Sequence, residues 1–412
     1  MTHLFINALA ASAGGGLTYV RNVVPHLAAR CDLRATILVT SSLRKELGHW
    51  ENICFIERPD GAGAARRFWH EQRHVAALAR RSRADVLICA GNFALWNSPV
   101  PQILLSRNSL YTSQDFRRDL RARGDYRLWL DTHLRAALAR MSIEHADCTV
   151  APSAAFAGEL KDWTGFGVVA IHHGFDHNAF VRDRTPLPAN VQRKLVETNG
   201  ALRLLFVSHH NYYRNFQTLI RAVSLLRKKL GPRKVRLILT CRLRSQDNPG
   251  FYCADSDALL VQQLGVSEEV VELGTIPYGL LYQLYQSCDL YVTPAYAESF
   301  AHPLVEAMAS GLPVLASDLP VHREICGEAA LYFNRFSPQQ LADRLCELAN
   351  LPELRRSMKQ KGRRRSNDFS WSKHVDELLS VANTLVGNCV AALPRQGAGK
   401  QPQLYDQHTA RL

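Results

Sequence analysis

No apolar run in this sequence approaches the roughly 20 residues that a membrane span requires. Runs such as residues 204–207 and 314–316 have only the length of a strand. The ten cysteines are scattered without a CxxC pair or a cysteine–histidine spacing, which argues against both a zinc site and a disulfide framework. Several of them, Cys89, Cys148 and Cys288 among them, fall in or beside apolar segments, where a free thiol packs as a small hydrophobe. Charged residues make up 21% against 47% hydrophobic ones, the proportions of a folded globular chain rather than a disordered one. The sequence enters an apolar strand at residues 4–8 with no room before it for a secretory leader, so a cytoplasmic protein is expected.

A dinucleotide fingerprint is also missing. The loop after the first strand, Ala10-Ala11-Ser12-Ala13-Gly14-Gly15-Gly16, is glycine-rich and opens a helix at Leu17, but it is not GxGxxG. The second strand ends on Thr40-Ser41-Ser42 where a ribose-binding acid would be wanted, and Asp32 lies at that strand's wrong end. The glycines therefore read either as a turn that lets a phosphate approach or as plain turn chemistry.

With 412 residues, the chain is too long for one ordinary core, and two domains are expected. Short apolar runs at 4–8, 35–40, 53–56, 85–90, 102–106, 148–151 and 168–171 alternate with helical patterns at 17–29, 68–81, 127–143 and 154–162. A second series of strands, at 202–207, 235–240, 270–273, 290–293, 314–317 and 330–333, repeats the alternation with helices such as 216–230 and 279–287. This is α/β patterning, which predicts two parallel sheets wound with crossover helices. Between the series, residues 186–200 hold Pro186, Pro188, Asn190 and Asn199 with little apolar content and read as a linker. Residues 338–349, 352–365 and 371–387 read as helices, and the polar tail 388–412 as disordered. The boundaries expected are 1–185 for the first domain and 201–370 for the second.

The net charge of +13 suggests an anionic partner, but it is spread over both halves and no recognition motif accompanies it, so nucleic acid is not expected. One basic stretch, Arg117 to Arg140, stands with Phe116, Tyr126 and Trp129 in a helical region and could lie peripherally on an anionic membrane. Asp115, Asp119, Asp125 and Asp131 interrupt it, and the alternative is a solvated helix with i,i+4 pairs.

The rest of the reading is organised around residues 293–311. An apolar strand ends at Thr293, Pro294 breaks it, Pro303 is pre-set for the first turn of a helix, and Gly311 closes that helix. Glu298 lies in the loop and Glu306 about a turn inside the helix. The amides of Phe300, Ala301 and His302 lie at its N-terminus, where about half a positive charge favours an anion. The segment offers amides to a phosphate and carboxylates to hydroxyls, or else it is an ordinary strand-to-helix turn with solvated acids.

Its surroundings carry a resemblance. Leu-Leu-Phe-Val-Ser-His-His from Leu204, Arg214-Asn215, Val271-Glu272-Leu273-Gly274, Leu290-Tyr291-Val292-Thr293-Pro294, Glu298 to Glu306 and Ser310-Gly311-Leu312-Pro313-Val314 together resemble the donor half of the retaining GT-B glycosyltransferases of family 4. The glutamate pair followed by Ala-Met-Ala-Ser-Gly-Leu-Pro-Val is highly specific as a set. Gly14-Gly15-Gly16 and Ile171-His172-His173-Gly174-Phe175-Asp176 resemble the family's first half more loosely. The resemblance implies two Rossmann-like domains facing each other across a cleft, the first on the acceptor side and the second binding the donor, with the C-terminal helix crossing back to the first domain.

The same resemblance implies roles. Glu306 would accept the donor ribose hydroxyls, and Glu298 would reach the transferred sugar. Phe300, Ala301 and His302 would hold the diphosphate through their amides, and Gly15 and Gly16 would face the donor from the glycine loop. Arg214 stands where the family has lysine and would take the phosphates with a permanent, forked charge. Ser208-His209 replaces the family's Gly-Arg, so His209 is either a ligand or a structural histidine at a strand end. Arg107 and Asn108 stand after the strand 102–106 where the family often has histidine, and would position the acceptor. Glu298 and Arg214 are the candidate catalytic residues.

Asp255-Ser256-Asp257 has the spacing of a metal-binding D-x-D, but it begins a helix, where acids are favoured by capping and by the dipole. No metal or cofactor is expected. The function implied is retaining hexosyl transfer from a nucleoside diphosphate sugar to a glycan or lipid-linked acceptor, as in polysaccharide biosynthesis. The alternative is a catalytically silent nucleotide-binding or regulatory protein of the same fold.

Overall fold

In a computed structural model of the chain, residues 1–11, 14–61, 63–248 and 252–391 are described. The chain divides into two units. One comprises Met1–Thr112, Asp131–Gly174 and the chain from Trp371 on; the other comprises Ser113–Leu130 and Phe175–Ser370.

The first unit is built on β1 (Thr2–Asn7), β2 (Leu33–Thr40), β3 (Ile53–Arg58), β4 (Val86–Cys89), β5 (Gln102–Leu105), β6 (Cys148–Ala151) and β7 (Val169–Ala170). They form one sheet in the order β3-β2-β1-β4-β5-β6-β7, and its pairs are parallel. Strands such as β4 and β5 are buried along their whole length, as a sheet covered on both faces requires. The helix Trp371–Ala391 belongs to this unit, where Trp371, Val375, Leu378 and Ala382 join a core with Leu27, Val86 and Ile103. The tail expected to be disordered lies, from residue 392, outside the described residues.

The second unit carries β8 (Leu202–Phe206), β9 (Val235–Leu239), β10 (Val270–Glu272), β11 (Leu290–Thr293), β12 (Val314–Ser317) and β13 (Ala330–Phe333). The order is β10-β9-β8-β11-β12-β13, again parallel. In each sheet two adjacent strands, β1 with β4 and β8 with β11, mark the point where the winding reverses. Outside the carboxyl ends of such a pair lies the crevice in which open α/β sheets take ligands.

Two boundaries differ from the sequence reading. Residues 186–200, read as a linker, hold the helix Ala189–Val196, whose Val191 and Leu195 are buried, and they lie inside the second unit; the chain passes between the units at Gly174–Phe175. Ser113–Leu130, read as part of the first domain, belongs to the second unit. Its helix Gln114–Ala122 is fastened there by Asp115 to Arg335 (3.0 Å), by the Tyr296 hydroxyl donating to Asp119 (2.6 Å) and by Phe116 edge-on to Tyr213 (6.2 Å, 85°). In the basic stretch, Arg123 pairs with Asp119 at 2.9 Å and Arg135 with Asp131 at 2.8 Å, the i,i+4 pattern of a solvated helix. Among the described residues no helix is long and apolar enough to cross a membrane.

Candidate functional site

The switch point of the second sheet brings two loops together. The one after β8 closes with a short helical turn, Tyr212–Arg214, and Asn215 in the left-handed conformation (φ 57°). Asparagine tolerates that conformation better than most residues. Asn215 Nδ2 donates to the carbonyls of Pro294 (3.2 Å) and Arg335 (2.6 Å), and the Tyr296 amide donates to the Tyr213 carbonyl (2.9 Å). These bonds fix the loop after β8 to the loop after β11. As a result Arg214 and Glu298, 84 residues apart, form an ion pair with both side chains largely buried. The Arg214 guanidinium also lies 5.0 Å from the Tyr213 ring centre, and its buried Nε has no hydrogen-bond partner among the described residues.

The loop after β11 leads into the helix His302–Ala309, with Pro303 in its first turn. Ala301 is the N-cap, in the left-handed region at φ 65° and ψ 63°, and offers no side-chain cap. Phe300 is buried edge-on against Phe369 (5.6 Å, 86°) and lies 4.8 Å from the His302 ring. The dipole at this terminus favours an anion, and the arginine beside Glu298 supplies charge of the same sign.

Glu306 projects from the helix into a buried environment and is 5% exposed. Its Oε2 accepts a hydrogen bond from the Tyr285 hydroxyl at 2.9 Å. Burial pushes its carboxyl up to about 7, opposed in part by that bond. His209 is exposed at the start of the loop after β8, and partial desolvation first and the Arg214 charge second hold its imidazole below the ordinary value. The neighbouring His210 is the structural histidine of the pair. It is fully buried, stacks on Phe216 (4.9 Å, 30°) and bonds through Nε2 to Asp257 at 2.8 Å. The second carboxylate of the Asp255-Ser256-Asp257 triplet is thus turned inward to a histidine, while Asp255 accepts from Ser245 at 3.1 Å.

Sequence reasoning missed two residues here. Tyr285 sat in a helical pattern as one aromatic among several, with only its spacing to the strand before Glu306 as a signal. His322 follows β12 on the helix Pro320–Cys326. Its Nδ1 lies 3.1 Å from the Ser317 carbonyl, its Nε2 is buried without a partner among the described residues, and burial lowers its imidazole to about 4.

The first unit holds the remaining candidates. Gly15 and Gly16 lie in the first turn of the helix Gly14–Ala28, so the helix opens three residues before Leu17; Ser12 and Ala13 fall outside the described residues. A Cβ on Gly16 would stand 3.3 Å from the Ala11 Cα, so the glycine allows a close approach of turn and helix, whereas Gly15 faces open space. Arg107 is built into the fold. Its amide donates to Asn92 Oδ1 at 2.6 Å, its guanidinium bonds the Ala90 carbonyl and covers the Tyr19 ring at 4.7 Å, and burial lowers its pKa. Asn108 Oδ1 accepts from the Leu110 amide at 3.1 Å.

Two family models match the chain in succession: that described as Glycosyltransferase Family 4 at residues 13–179, and that described as Glycosyl transferases group 1 at residues 189–365. D-inositol 3-phosphate glycosyltransferase of Corynebacterium glutamicum is 30% identical over 186 residues, 44% of this chain and 43% of the relative. The protein of the same name from Corynebacterium aurimucosum is 26% identical over 257 residues, 61% of this chain and 60% of the relative. The chain spans about half the length of the curated relatives it matches. Among solved structures, sucrose-phosphate synthase of Thermosynechococcus elongatus aligns with a TM-score of 0.72 at 17% identity, over 94% of this chain and all of that one. HepE of Anabaena, solved in complex with UDP and glucose, aligns at 0.68 and 17% over 93% and 100%. With two parallel sheets each wound about a switch point, and with the two models covering them in order, the chain belongs to the group 1, family 4 glycosyltransferases and has the GT-B fold.

Proposed function

We propose that the chain is a retaining glycosyltransferase that moves a hexose from a nucleoside diphosphate sugar to a glycan or lipid-linked acceptor. The observation that carries this reading is the grouping at one switch point of a buried Arg214–Glu298 pair, a helix N-terminus at Ala301 and a buried carboxylate at Glu306. Glu306 accepts the ribose diol. Arg214, its Nε still uncommitted, and the amides about Ala301 take the diphosphate, on which negative charge grows as the glycosidic bond breaks. Arg214 leaves Glu298 for the phosphates as the donor enters, which frees that carboxylate for the sugar hydroxyls. The names of the curated relatives support glycosyl transfer, and the UDP-glucose complex of HepE supports a sugar-nucleotide donor. Asp257 is committed to His210, which supports transfer without a metal at that triplet. Arg107 acts from within the fold, by shaping the loop that carries Asn108, rather than by touching the acceptor. The protein works in the cytoplasm, and any membrane contact is peripheral.

Transfer or slow donor hydrolysis across a panel of nucleotide sugars tests the reading, and wild-type rates retained by Glu306→Ala would sink the site assignment. A silent nucleotide-binding protein is the second reading. It is favoured by Ser208 and His209 in place of the family's Gly-Arg, and by a non-glycine N-cap at Ala301. Nucleotide binding with no turnover of any sugar in the panel would select it.

A further inference from the structure

Glu306 lies under a layer of aromatic rings. Tyr285, from the helix Leu281–Gln286, is fully buried; its ring centre lies 5.9 Å from that of Tyr291 and 6.0 Å from that of Phe180. This packing leaves the hydroxyl one place to point. It reaches Glu306 Oε2 at 2.9 Å, with the Pro303 carbonyl farther off at 3.4 Å, and the charged, nearer oxygen is the acceptor. The titratable groups that bear on Glu306 are phenols from three directions: Tyr278 before that helix, Tyr285 on it and Tyr291 on β11. Tyr285 and Tyr291 are buried and Tyr278 is 44% exposed; each hydroxyl is raised chiefly by desolvation and further by the Glu306 charge, with the Arg214 charge opposing at Tyr291.

We propose that Tyr285 is a positioning residue of the donor site, whose hydroxyl keeps the buried Glu306 carboxylate ionised and oriented so that its remaining lone pairs meet the ribose diol. The proposal rests on the reading of Glu306 as the ribose ligand. A buried carboxylate with one strong donor keeps that donor's orientation, and it loses its charge more readily when the donor is removed. The hydroxyl of Tyr285 would therefore set both the direction of the acceptor lone pairs and the pH above which they carry full charge. Tyr291, whose ring packs on Tyr285, makes no hydrogen bond to Glu306 in the structure and serves as a control.

The test is nucleoside diphosphate binding to the full chain by calorimetry from pH 5.5 to 9, with UDP, GDP and ADP, and with the 2′,3′-dideoxy form of the tightest binder. Wild type is expected to bind more tightly as pH rises through about 7, and the dideoxy nucleotide is expected to keep only the share of that dependence that its terminal phosphate brings by titrating in the same range. In Tyr285→Phe the midpoint should move up by one pH unit or more, affinity at pH 7 should fall about tenfold, and much of the loss should be recovered at pH 9. Tyr291→Phe should leave the midpoint in place. A purely structural role for Tyr285 would weaken binding equally at every pH and leave the midpoint unmoved, and that result overturns the inference while nucleotide binding stands. Failure of wild type to bind any of the three nucleotides overturns the donor-site reading and the inference with it.

Discussion

Replacing Glu306 by glutamine separates the cost of the carboxylate to the fold from its use to the site. Burial raises the Glu306 carboxyl from 4.5 to about 7, so between these values the folded chain holds a proton that the unfolded chain has released. Stability then falls as pH rises through that window, because the folded state binds more protons there. At 1.36 kcal/mol per pH unit, the burden above pH 7 is about 3 kcal/mol. Glutamine has nearly the same shape, carries no charge to desolvate, and its oxygen can still accept from Tyr285. Glu306→Gln is therefore expected to melt above wild type at pH 8 and close to it at pH 5, with the gap opening between, while nucleotide affinity drops. Melting of the full chain by circular dichroism at half-unit pH steps measures this. A variant less stable than wild type at pH 8, or a gap that does not change with pH, would refute the assignment of a buried, burdened carboxylate.

Arg214→Ala should lower turnover by about 10²-fold or more, since a fixed donor to a developing charge is lost, and Arg214→Lys should recover only part of it because the fork is gone; steady-state transfer rates decide. Ala301→Gly removes about 1–2 kcal/mol of left-handed strain against about 0.4–1 kcal/mol of added unfolded-chain entropy, so stability should hold or rise slightly. Ala301→Val should cost about 1–3 kcal/mol, both read by thermal melting. Arg107→Ala should destabilise the chain by about 2 kcal/mol through lost charged hydrogen bonds, with the acceptor KM of the folded enzyme unchanged. Asp257→Ala should cost about 1–3 kcal/mol by orphaning His210 Nε2, and transfer by wild type should be unaffected by EDTA.

The strands were legible because a parallel strand buried on both faces is close to a continuous apolar run, and β4, β11 and β12 are apolar through or up to their last residue. Arg214 and Glu306 are singled out by the resemblance of their segments, and the structure places them after the switch-point strands β8 and β11. What the sequence hid was carried by pairs distant along the chain. The transfer of Ser113–Leu130 to the second unit rests on Asp119 with Tyr296, 177 residues away, and on Asp115 with Arg335, 220 away. No local pattern announces such pairs. Arg107 in a polar triplet after a strand reads as a ligand, and the sequence does not show that the Ala90 carbonyl, Asn92 and Tyr19 also tie this half-buried residue into the fold. Asp255 and Asp257 read as opening a helix, as they do, but the sequence does not show that His210, 47 residues from Asp257, is the group to which that carboxylate turns.

Four unsatisfied groups of the second unit follow β8 or β12 or pack against those segments: Arg214 Nε, His210 Nδ1, Asp257 Oδ1 and His322 Nε2 are buried polar atoms without partners among the described residues, while Glu269 Oε2 and Ser310 Oγ are unsatisfied elsewhere in the unit. Ala301 holds a conformation that alanine avoids, and Glu306 keeps a carboxyl where water does not reach. Each of these features costs stability by itself, and a sequence selected for folding alone would remove them. The grouping of Arg214, Ala301 and Glu306 beside the β8–β11 switch point is what a site completed by its ligand would show: on the proposed reading the arginine would gain oxygens, the glutamate hydroxyls and the helix terminus an anion. The same features predict that a bound nucleoside diphosphate raises the melting temperature of wild type more than that of Glu306→Gln, because only in wild type does the ligand relieve the buried charge.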